Sequence, residues 1–551
     1  MLPERPLNIL QVSTRDVGGG AEKVAHDLFR AYRDRGHGST LAVGYKHGDD
    51  PDVIPIPNDQ VGGASSRLLW RLHGRLQPFY GRRWWARPAC RLAHYLAAPR
   101  RFAEIRRGVE DFNYPGTWLL ANLPKAADAV REGILAPAAA VLAAAGEGIL
   151  APAVPRCLDA SMPSSGCLDA SMPDIIHAHN LHGGYFDLRA LPALSRRFPF
   201  VLTMHDAWLM AGHCAHSLEC ERWRTGCGQC PDLTLYPAIR RDATAFNWQR
   251  KRGLYRAARL HVATPCRWLM NKVEASMLRP GVVEARVIPY GIDLGVFHPA
   301  DRRAAREAIG APPDVPMLLF AANSIRRNAW KDYAMMREAV VRLALRWSGH
   351  VDRSTQAKKD RGANGHTHDG RLLFIALGET AAPERIGAAE IRFVPYTSDP
   401  ATVARYYQAA DLYVHAARAD TFPNAVLEAL ACGTPVVATS VGGIPEQVNA
   451  LASLSTRPSN DGPTGTNDDA TGALVAPGDS QAMALAIERL LDDGDLRLRL
   501  AVNAARDARR RFDLTRHASY YLEWYRELID RAAPSESNDP VSANRWEPVY
   551  S

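Results

Sequence analysis

The chain has 551 residues, of which 46% are hydrophobic and 23% are charged, an ordinary composition for a globular protein with large cores. At about 150 residues per domain, this length corresponds to three or four domains or to two large ones. The composition excludes a collagen, a coiled coil and a wholly disordered chain. Nine cysteines are too few for a disulfide scaffold, and no uncharged apolar run reaches the roughly 20 residues of a membrane helix.

The first residues, MLPERPLNILQVS, carry a charge of each sign and lead directly into a strand-like segment. A secretory signal would instead place a basic stretch before an apolar one. We therefore expect a cytoplasmic protein.

The net charge of +8 is concentrated in residues 65–107, which hold eleven arginines and a single acid, Glu104. Seven aromatic residues lie among these arginines. Arginine mixed with aromatic residues suits an anionic membrane surface or a polyanionic ligand. The alternative is a solvated helical subdomain whose aromatic rings pack inward. A nucleic-acid partner is not expected, because no recognisable binding motif accompanies the charge.

Strands and helices alternate in two separate series. The first opens with a strand at 7–12, a glycine-rich turn and an amphipathic helix, and it continues with strands at 174–179, 200–204, 260–265 and 285–291. The second begins at Met317 and adds strand and helix in turn up to the helix that starts at Ser480. This alternation predicts two Rossmann-like parallel-sheet α/β domains, at 1–288 and 289–510.

Several stretches read as additions to these domains. Residues 115–173 form a predicted inserted loop in which EGILAPA and CLDASMP each occur twice, and residues 348–370 and 453–470 form polar loops. Two short duplications are not a solenoid, whose repeats recur over about 20–50 residues. A helix at 511–532 is expected to cross back to the first domain, and residues 533–551 form a tail predicted to be disordered.

The strongest local motif runs from Asp420 to Ala438, DTFPNAVLEALACGTPVVA. Pro423 suits the first turn of a helix and Gly433 its C′ position. The amides at that helix start would bind a diphosphate, while the carboxylates of Asp420 and Glu428 could accept hydrogen bonds from a sugar and a ribose. Helix reasoning alone leaves another interpretation open, with Asp420 as an ordinary N-terminal charge and Glu428 as a surface acid.

This motif resembles the retaining glycosyltransferases of family 4, which have the two-domain GT-B fold with a central cleft. Three further segments agree in order: GGGAE from Gly18, PYGID from Pro289 with Phe297, and VGGIPE from Val441. The stretch from His177 to Pro231 and the DTFPN variant resemble exopolysaccharide-type and colanic-acid transferases. The family usually has Glu where this chain has Asp420, which keeps the charge but shortens the reach to the sugar.

The resemblance implies roles for individual residues. It assigns His205, Asp420 and Glu428 as catalytic, with His205 contacting the transferred sugar. Lys331 would neutralise the donor phosphates together with one of two arginines, Arg326 or Arg327. The remaining donor-binding positions are Gly18, Gly19, Gly20, Phe422, Pro423 and Asn424. Without the motifs, Lys331, Arg326 and Arg327 could equally be surface charges.

The sequence HAHNLHGG and the pair His205–Asp206 each follow a predicted strand, where α/β ligand crevices lie. His179, Asn180, His182 and Asp206 are therefore candidates for the acceptor side, and Asp206 would either orient His205 or cap a helix. A histidine at a strand end can also be purely structural. Three histidines between 177 and 182 raise a metal site as an alternative, but no suitably spaced carboxylate accompanies them.

Cys214, Cys220, Cys227 and Cys230 fall within 17 residues and end in C-x-x-C, a pattern that could form a tetrahedral zinc site. The first pair is spaced more widely than in a usual zinc knuckle, and His213 or His216 could replace a ligand. A reducing cytoplasm disfavours disulfides between them. Structural zinc is therefore a hypothesis, and catalysis is expected to need no cofactor.

Together these features predict a transferase that takes a sugar from a nucleotide-diphosphate donor to a lipid-linked or oligosaccharide acceptor of a bacterial surface glycan. Its expected place is the cytoplasm, peripheral at the inner face of the cytoplasmic membrane. A GT-B nucleotide-sugar epimerase and a non-catalytic glycan- or nucleotide-binding protein are the alternatives. A Rossmann dehydrogenase is disfavoured, because no G-x-G-x-x-G follows the first strand.

Overall fold

The computed structural model describes residues 5–58, 64–76, 79, 83, 85–110, 112–122, 172–357, 371–455 and 468–532. Contacts within the chain define two units. The first comprises Met1–Thr264, Leu269–Ile288 and Ala518–Ser551, and the second comprises Pro265–Trp268 and Pro289–His517.

The first unit contains a seven-stranded sheet in the order β3-β2-β1-β4-β5-β6-β7, and its neighbouring strands pair in parallel. The strands are β1 (Asn8–Arg15), β2 (Gly38–Tyr45), β3 (Val53–Pro55), β4 (Ile175–His179), β5 (Phe200–Thr203), β6 (Leu260–Thr264) and β7 (Val282–Val287). Every residue of β4 and β5 is buried, as expected for parallel strands covered on both faces.

The helices that precede Pro289 are α1 (Gly20–Arg33), α2 (Ala64–Leu76), α3 (Ala86–Ala97), α4 (Pro99–Arg107), α5 (Leu191–Arg197), α6 (Thr244–Arg256) and α7 (Arg267–Glu274). Short 3-10 helices lie at Pro115–Asn122, Leu188–Ala190, Trp208–Met210, Arg222–Arg224 and Arg279–Gly281. Strand β1 ends at Arg15, a glycine-rich turn follows, and α1 begins at Gly20 with Gly19 as its N-cap residue. This is the opening of a Rossmann-like unit.

The second unit contains a seven-stranded sheet in the order β10-β11-β9-β8-β12-β13-β14, parallel except for the β10–β11 pair. Its strands are β8 (Met317–Ala321), β9 (Leu372–Leu377), β10 (Glu384–Ile386), β11 (Ala389–Val394), β12 (Leu412–His415), β13 (Val436–Thr439) and β14 (Gly472–Val475). Its helices are α8 (Arg302–Ala308), α9 (Tyr333–Ala357), α10 (Pro400–Ala409), α11 (Asn424–Ala431), α12 (Ile444–Gln447), α13 (Ser480–Asp492) and α14 (Gly494–Arg511), with a 3-10 turn at Ala452–Leu454.

The last helix, α15 (Leu514–Ala532), contributes its residues from Ala518 onward to the first unit. Tyr521, Trp524 and Tyr525 are fully buried there. The Tyr525 hydroxyl bonds to His177 Nδ1 at 2.5 Å, and the Tyr521 hydroxyl bonds to Thr203 Oγ1 at 2.7 Å. Helix α15 therefore completes the core beside β4 and β5.

The prediction of two parallel-sheet α/β domains is confirmed. The loop predicted at 348–370 was wrong in its first part, because α9 continues to Ala357. Residues 348–357 contain neither proline nor an internal helix breaker beyond Gly349, and polar residues suit the outer face of a helix as well as a loop.

The other predicted additions lie largely outside the described residues. This holds for 123–171 of the inserted loop 115–173, with nearly all of both duplications, for 358–370, for 456–467 of the loop 453–470, and for the tail 533–551. The first residues of the inserted loop form the 3-10 helix Pro115–Asn122.

Candidate active site

In each sheet, three neighbouring central strands carry the predicted site residues at their carboxyl ends. Strand β1 lies between β2 and β4, and β8 lies between β9 and β12, so the direction of winding reverses at β1 and at β8. Such switch points are where open α/β sheets bind ligands. The segments after β1, β4 and β5 form one candidate cluster, and those after β8, β12 and β13 form another.

Backbone hydrogen bonds place Lys331 beside the segment that follows β12. Asp332 N donates to Ala416 O at 3.1 Å, Arg418 N donates to Trp330 O at 2.9 Å, and Lys331 forms a β-bridge with Ala417. The lysine thereby reaches Asp420, which is 89 residues further along the chain.

Lys331, His415 and Asp420 form a compact charged cluster. The Lys331 ammonium is paired with Asp420 Oδ2, and His415 Nε2 lies 3.2 Å from both Lys331 Nζ and Asp420 Oδ2. Burial alone would raise the pKa of Asp420, but Lys331 and His415 outweigh it and hold that pKa well below its usual range. Burial, together with Lys331, lowers the pKa of His415 to about 4 despite the opposing carboxylate. At neutral pH the cluster is therefore a lysine–aspartate ion pair beside a neutral imidazole.

Glu428 is buried on α11, and its Oε2 accepts a hydrogen bond from the Tyr407 hydroxyl at 2.9 Å. The interpretation of Glu428 as a surface acid is therefore wrong. Helix α11 begins at Asn424, and Pro423 is its N-cap residue. Pro423 therefore lies one position before the first turn, in which it was predicted. Gly433 follows the C-cap with a φ of +71°, the left-handed conformation predicted for it.

The glycines after β13 fix the backbone that carries Asp420. A Cβ on Gly442, whose φ is +58°, would lie 1.7 Å from Asp420 O, and one on Gly443 would lie 2.3 Å from Thr421 O. Gly443 N donates to Thr421 O at 2.9 Å, and Gln447 Nε2 donates to Pro423 O at 3.1 Å. Gly442 and Gly443 therefore pack directly against the backbone of Asp420 and Thr421 and leave no room for a side chain at either position.

The other donor-binding candidates have less direct positions. The exposed Arg326 guanidinium lies over the Phe393 ring at 5.8 Å, and Arg327 is also exposed. The Phe422 ring is buried, with the rings of Tyr290 and Phe512 at 5.6 and 6.0 Å. A donor contact from Phe422 would accordingly come from its backbone.

In the first unit, His179 and His205 share a hydrogen bond of 3.0 Å between His179 Nδ1 and His205 Nε2. The Gln11 amide satisfies its neighbours when its oxygen accepts from Phe29 N and its nitrogen donates to His179 Nε2 at 3.1 Å. His179 then donates from Nδ1, and His205 Nε2 is the acceptor. Burial lowers the pKa of His205 to about 4, although Asp206 opposes this. His205 is therefore neutral, with one ring nitrogen already engaged.

His182 pairs with Asp206 through a 2.7 Å contact between Nε2 and Oδ2. Burial would lower the pKa of His182, but Asp206 raises it above its usual value. The pKa of Asp206 falls to about 2 because His182 and a hydrogen bond from Trp208 N outweigh its burial. Asp206 thus pairs with His182 and accepts a hydrogen bond from Trp208 N at the start of the turn Trp208–Met210. Asn180, which lies between His179 and His182 in the chain, has a positive φ of 28°.

A buried lysine fixes the loop after His205 and Asp206. Lys251 Nζ donates to Trp208 O at 2.8 Å and Ala211 O at 2.9 Å, and it pairs with Glu110 Oε1 at 2.7 Å. The two carbonyls and the carboxylate together hold the ammonium in place. Burial lowers the pKa of Lys251 and raises that of Glu110, while each partner opposes the shift in the other.

The four cysteines of the zinc hypothesis are reduced and lie in one loop. Cys230 Sγ is 3.3 Å from His213 Nε2, and Cys227 Sγ accepts from Gly212 N at 3.3 Å. Burial, with a smaller contribution from the neighbouring thiols, raises the pKa of Cys214 to about 12. Within the described ranges, no group of three or more His, Cys, Asp or Glu side chains is placed to hold a metal ion. Structural zinc therefore stays a prediction.

Sequence reasoning missed three residues of these clusters: His415, Tyr407 and Lys251. His415 had a usable signal, since it ends the apolar strand DLYVH at the switch point and lies five residues before Asp420. Tyr407 and Lys251 lie on amphipathic or polar helices, where their position in sequence gives no hint of the carboxylate or carbonyls that they contact.

Open, doubly wound α/β sheets bind their ligands, dinucleotides among them, at such switch points. Residues 138–296 match Glycosyltransferase Family 4, and residues 365–493 match Glycosyl transferases group 1. Two segments of the chain are therefore of the family 4 and group 1 glycosyltransferase type, which confirms the resemblance found in its motifs.

The chain is 30% identical over 259 residues to the D-inositol 3-phosphate glycosyltransferase of Thermobispora bispora, a match that covers 47% of this chain and 53% of that protein. It is 26% identical over 283 residues to the putative colanic acid biosynthesis glycosyl transferase WcaC of Escherichia coli K12, covering 48% of this chain and 60% of that protein. The chain thus spans about half to three fifths of the length of these curated relatives.

Among solved structures, Anabaena Alr3699/HepE in complex with UDP-glucose is 17% identical, with a TM-score of 0.49 and coverage of 95% of this chain and 100% of that chain.

The His182–Asp206 pair should make stability depend on pH. Because the folded pKa of His182 is raised, its contribution is complete below its ordinary value of 6.5 and is lost as the pH rises through the folded pKa. The Asp206 contribution is complete above 3.8 and is lost as the pH falls toward about 2. Urea unfolding should therefore show His182→Gln costing about 1.5–3 kcal/mol near pH 5.5 and less near pH 9. The exposed His298→Gln is the control, and an equal cost of His182→Gln at both pH values would contradict the prediction.

Metal analysis tests the zinc hypothesis directly. Protein purified in reducing buffer would carry about one zinc per chain if the four thiolates gather around a metal, and Cys227→Ser/Cys230→Ser would lose it. A content well below one zinc per chain in the unsubstituted protein would reject the hypothesis.

Proposed function

We propose that the chain is a retaining glycosyltransferase of bacterial exopolysaccharide, capsule or lipopolysaccharide biosynthesis. Its donor would be a nucleotide-diphosphate sugar, and its acceptor a lipid-linked glycan or an oligosaccharide. The observation that carries the proposal is the cluster of Lys331 and Asp420 at the switch point, with buried Glu428 on the helix that follows. The similarity to WcaC, a protein named for colanic acid biosynthesis, supports the surface-glycan assignment.

In the proposed donor site, Lys331 stabilises the negative charge that develops on the departing diphosphate. Asp420 accepts hydrogen bonds from the sugar hydroxyls, and Glu428 accepts them from the ribose. The amides at the start of α11 add positive potential for the phosphates. His205 contacts the transferred sugar, and His179, Asn180, His182 and Asp206 belong to the acceptor side.

We assign transfer to a displacement on one face of the sugar. The bond between the anomeric carbon and the phosphate oxygen breaks as the acceptor oxygen bonds to that carbon. The acceptor proton passes to the departing phosphate. The protein contributes orientation and charge stabilisation, and this chemistry requires neither a cofactor nor a divalent metal.

Thermal unfolding with UDP, GDP, ADP and CMP tests the donor site. One nucleoside diphosphate should stabilise the protein, by about 2.7 kcal/mol at 100 times its Kd. Lys331→Ala and Glu428→Ala should each lose this shift relative to their own ligand-free Tm, whereas Glu338→Ala, an exposed acid on α9, should keep it. No shift with any nucleotide, or an undiminished shift in Lys331→Ala, would count against the proposed site.

Incubation with the donor alone separates transfer from the alternatives. A transferase should consume the sugar nucleotide only with an acceptor present. Conversion of the donor sugar without an acceptor would favour the epimerase, and nucleotide binding without turnover would favour the binding protein.

The surface of α2, α3 and α4 supports a site of action at the membrane. Several leucines are strongly exposed there, including Leu68 at 67% and Leu92 at 58%, and exposed arginines such as Arg87 and Arg91 lie beside them. The aromatic residues of this segment are of two kinds. Trp70 is half-buried against His94, as expected for rings that pack inward, whereas Trp85 is exposed, as expected for rings at a membrane surface. We propose that this face binds anionic phospholipid from the cytoplasmic side. No helix of the described ranges has the length and apolar character to cross a bilayer.

Flotation with lipid vesicles tests the membrane assignment. The protein should float with phosphatidylglycerol-containing vesicles and not with phosphatidylcholine alone, and Arg87→Glu/Arg91→Glu/Leu92→Ser should abolish this. The matched control, Leu498→Ser/Arg499→Glu/Arg509→Glu, changes a comparably exposed leucine and two exposed arginines on α14. Flotation unaffected by the first set of substitutions would contradict the assignment.

A further inference from the structure

His415 lies between the two charged groups of the proposed donor site. Its side chain is fully buried at the end of β12. On one side, Nδ1 faces the Tyr413 hydroxyl at 3.0 Å. On the other, Nε2 faces both Lys331 Nζ and Asp420 Oδ2, each at 3.2 Å. The motif comparison assigns no role to this residue.

The direction of the hydrogen bonds follows from what each group can donate. The Tyr413 hydroxyl has one proton and two acceptors within reach, His415 Nδ1 at 3.0 Å and Ala321 O at 3.4 Å. The shorter contact favours donation to Nδ1. A neutral imidazole then carries its proton on Nε2 and donates it to Asp420 Oδ2. The Lys331 ammonium beside Nε2 then donates to the same carboxylate and not to the ring. Tyr413 thus sets the tautomer that aims an N–H at the carboxylate.

Two N–H groups contact the Asp420 carboxylate, and only one of them is fixed in position. The Lys331 ammonium is on a long flexible side chain, and in the proposed function it is the group that neutralises a diphosphate. When it turns toward the donor, it weakens its pairing with Asp420, whose side chain is only 18% exposed. The His415 N–H is held in place by the strand and by Tyr413, so it stays.

We propose that His415 is a positioning residue, which keeps the Asp420 carboxylate ionised and in place while Lys331 changes partner from Asp420 to the donor diphosphate. This inference rests on the proposed function. It also explains how one lysine can serve both a buried carboxylate in the empty site and the phosphates in the loaded one.

A double-mutant cycle without substrate tests the first half of the inference. Lys331→Met imitates the departure of the ammonium, and His415→Phe removes the N–H but keeps a ring. If His415 supports Asp420 when the lysine is gone, His415→Phe should lower the unfolding midpoint about twice as much or more in the Lys331→Met background as in the unsubstituted protein. His415→Gln, whose amide N–H can take the place of Nε2–H, should restore most of this loss. An additive or smaller effect in the Lys331→Met background would overturn the inference.

Kinetics test the second half. His415→Phe should lower kcat by about tenfold or more while the affinity for the nucleoside diphosphate changes by less than about threefold. His415→Gln should recover activity, whereas His415→Asn, whose amide imitates Nδ1, should not. A kcat unchanged in His415→Phe, or equal losses in His415→Gln and His415→Phe, would overturn the inference. If the unsubstituted protein binds no nucleoside diphosphate, the proposed function fails, and the unfolding cycle still decides the role of His415.

Discussion

The largely buried carboxylates at the ends of the central strands each require a cation, because an ionised carboxylate loses several kcal/mol of hydration when it leaves water. Asp420 has Lys331, and Asp206 has His182. The partners come from other parts of the chain, 89 residues away in the first case and 24 in the second. Each pairing therefore joins loops that sequence separates, and the position of the candidate site follows from it.

The parallel sheets make these pairings possible. Since neighbouring parallel strands end at the same edge, the segments after β8, β12 and β13 emerge side by side. Lys331, Asp420 and Gly442 come from these three segments in turn. Gly442 approaches the Asp420 backbone so closely that a Cβ at this position would clash with Asp420 O. The position of the Asp420 carboxylate thus depends on the charge of Lys331, on the order of the strands and on the lack of a side chain at Gly442.

The sequence allowed prediction of both sheets and of the residues that belong to contiguous motifs, such as Gly433 with its left-handed backbone. It did not reveal Tyr407 as the partner of Glu428, because that contact depends on how α10 packs against α11. The same applies to Lys251, whose buried ammonium looks in sequence like one cation among several on a basic helix. The extension of α9 to Ala357 was missed because polar composition alone does not end a helix.

The route of α15 has a consequence for dividing the gene. The three aromatic residues that complete the core of the first unit, Tyr521, Trp524 and Tyr525, are encoded after the whole of the second unit. A fragment cut at Ile288 would expose the apolar surface that these rings cover and would leave the His177 and Thr203 side chains without their tyrosine hydroxyls. A self-sufficient first unit would need residues 514–532 rejoined to residue 288 through a linker, so the two units are not separable as simple N-terminal and C-terminal halves.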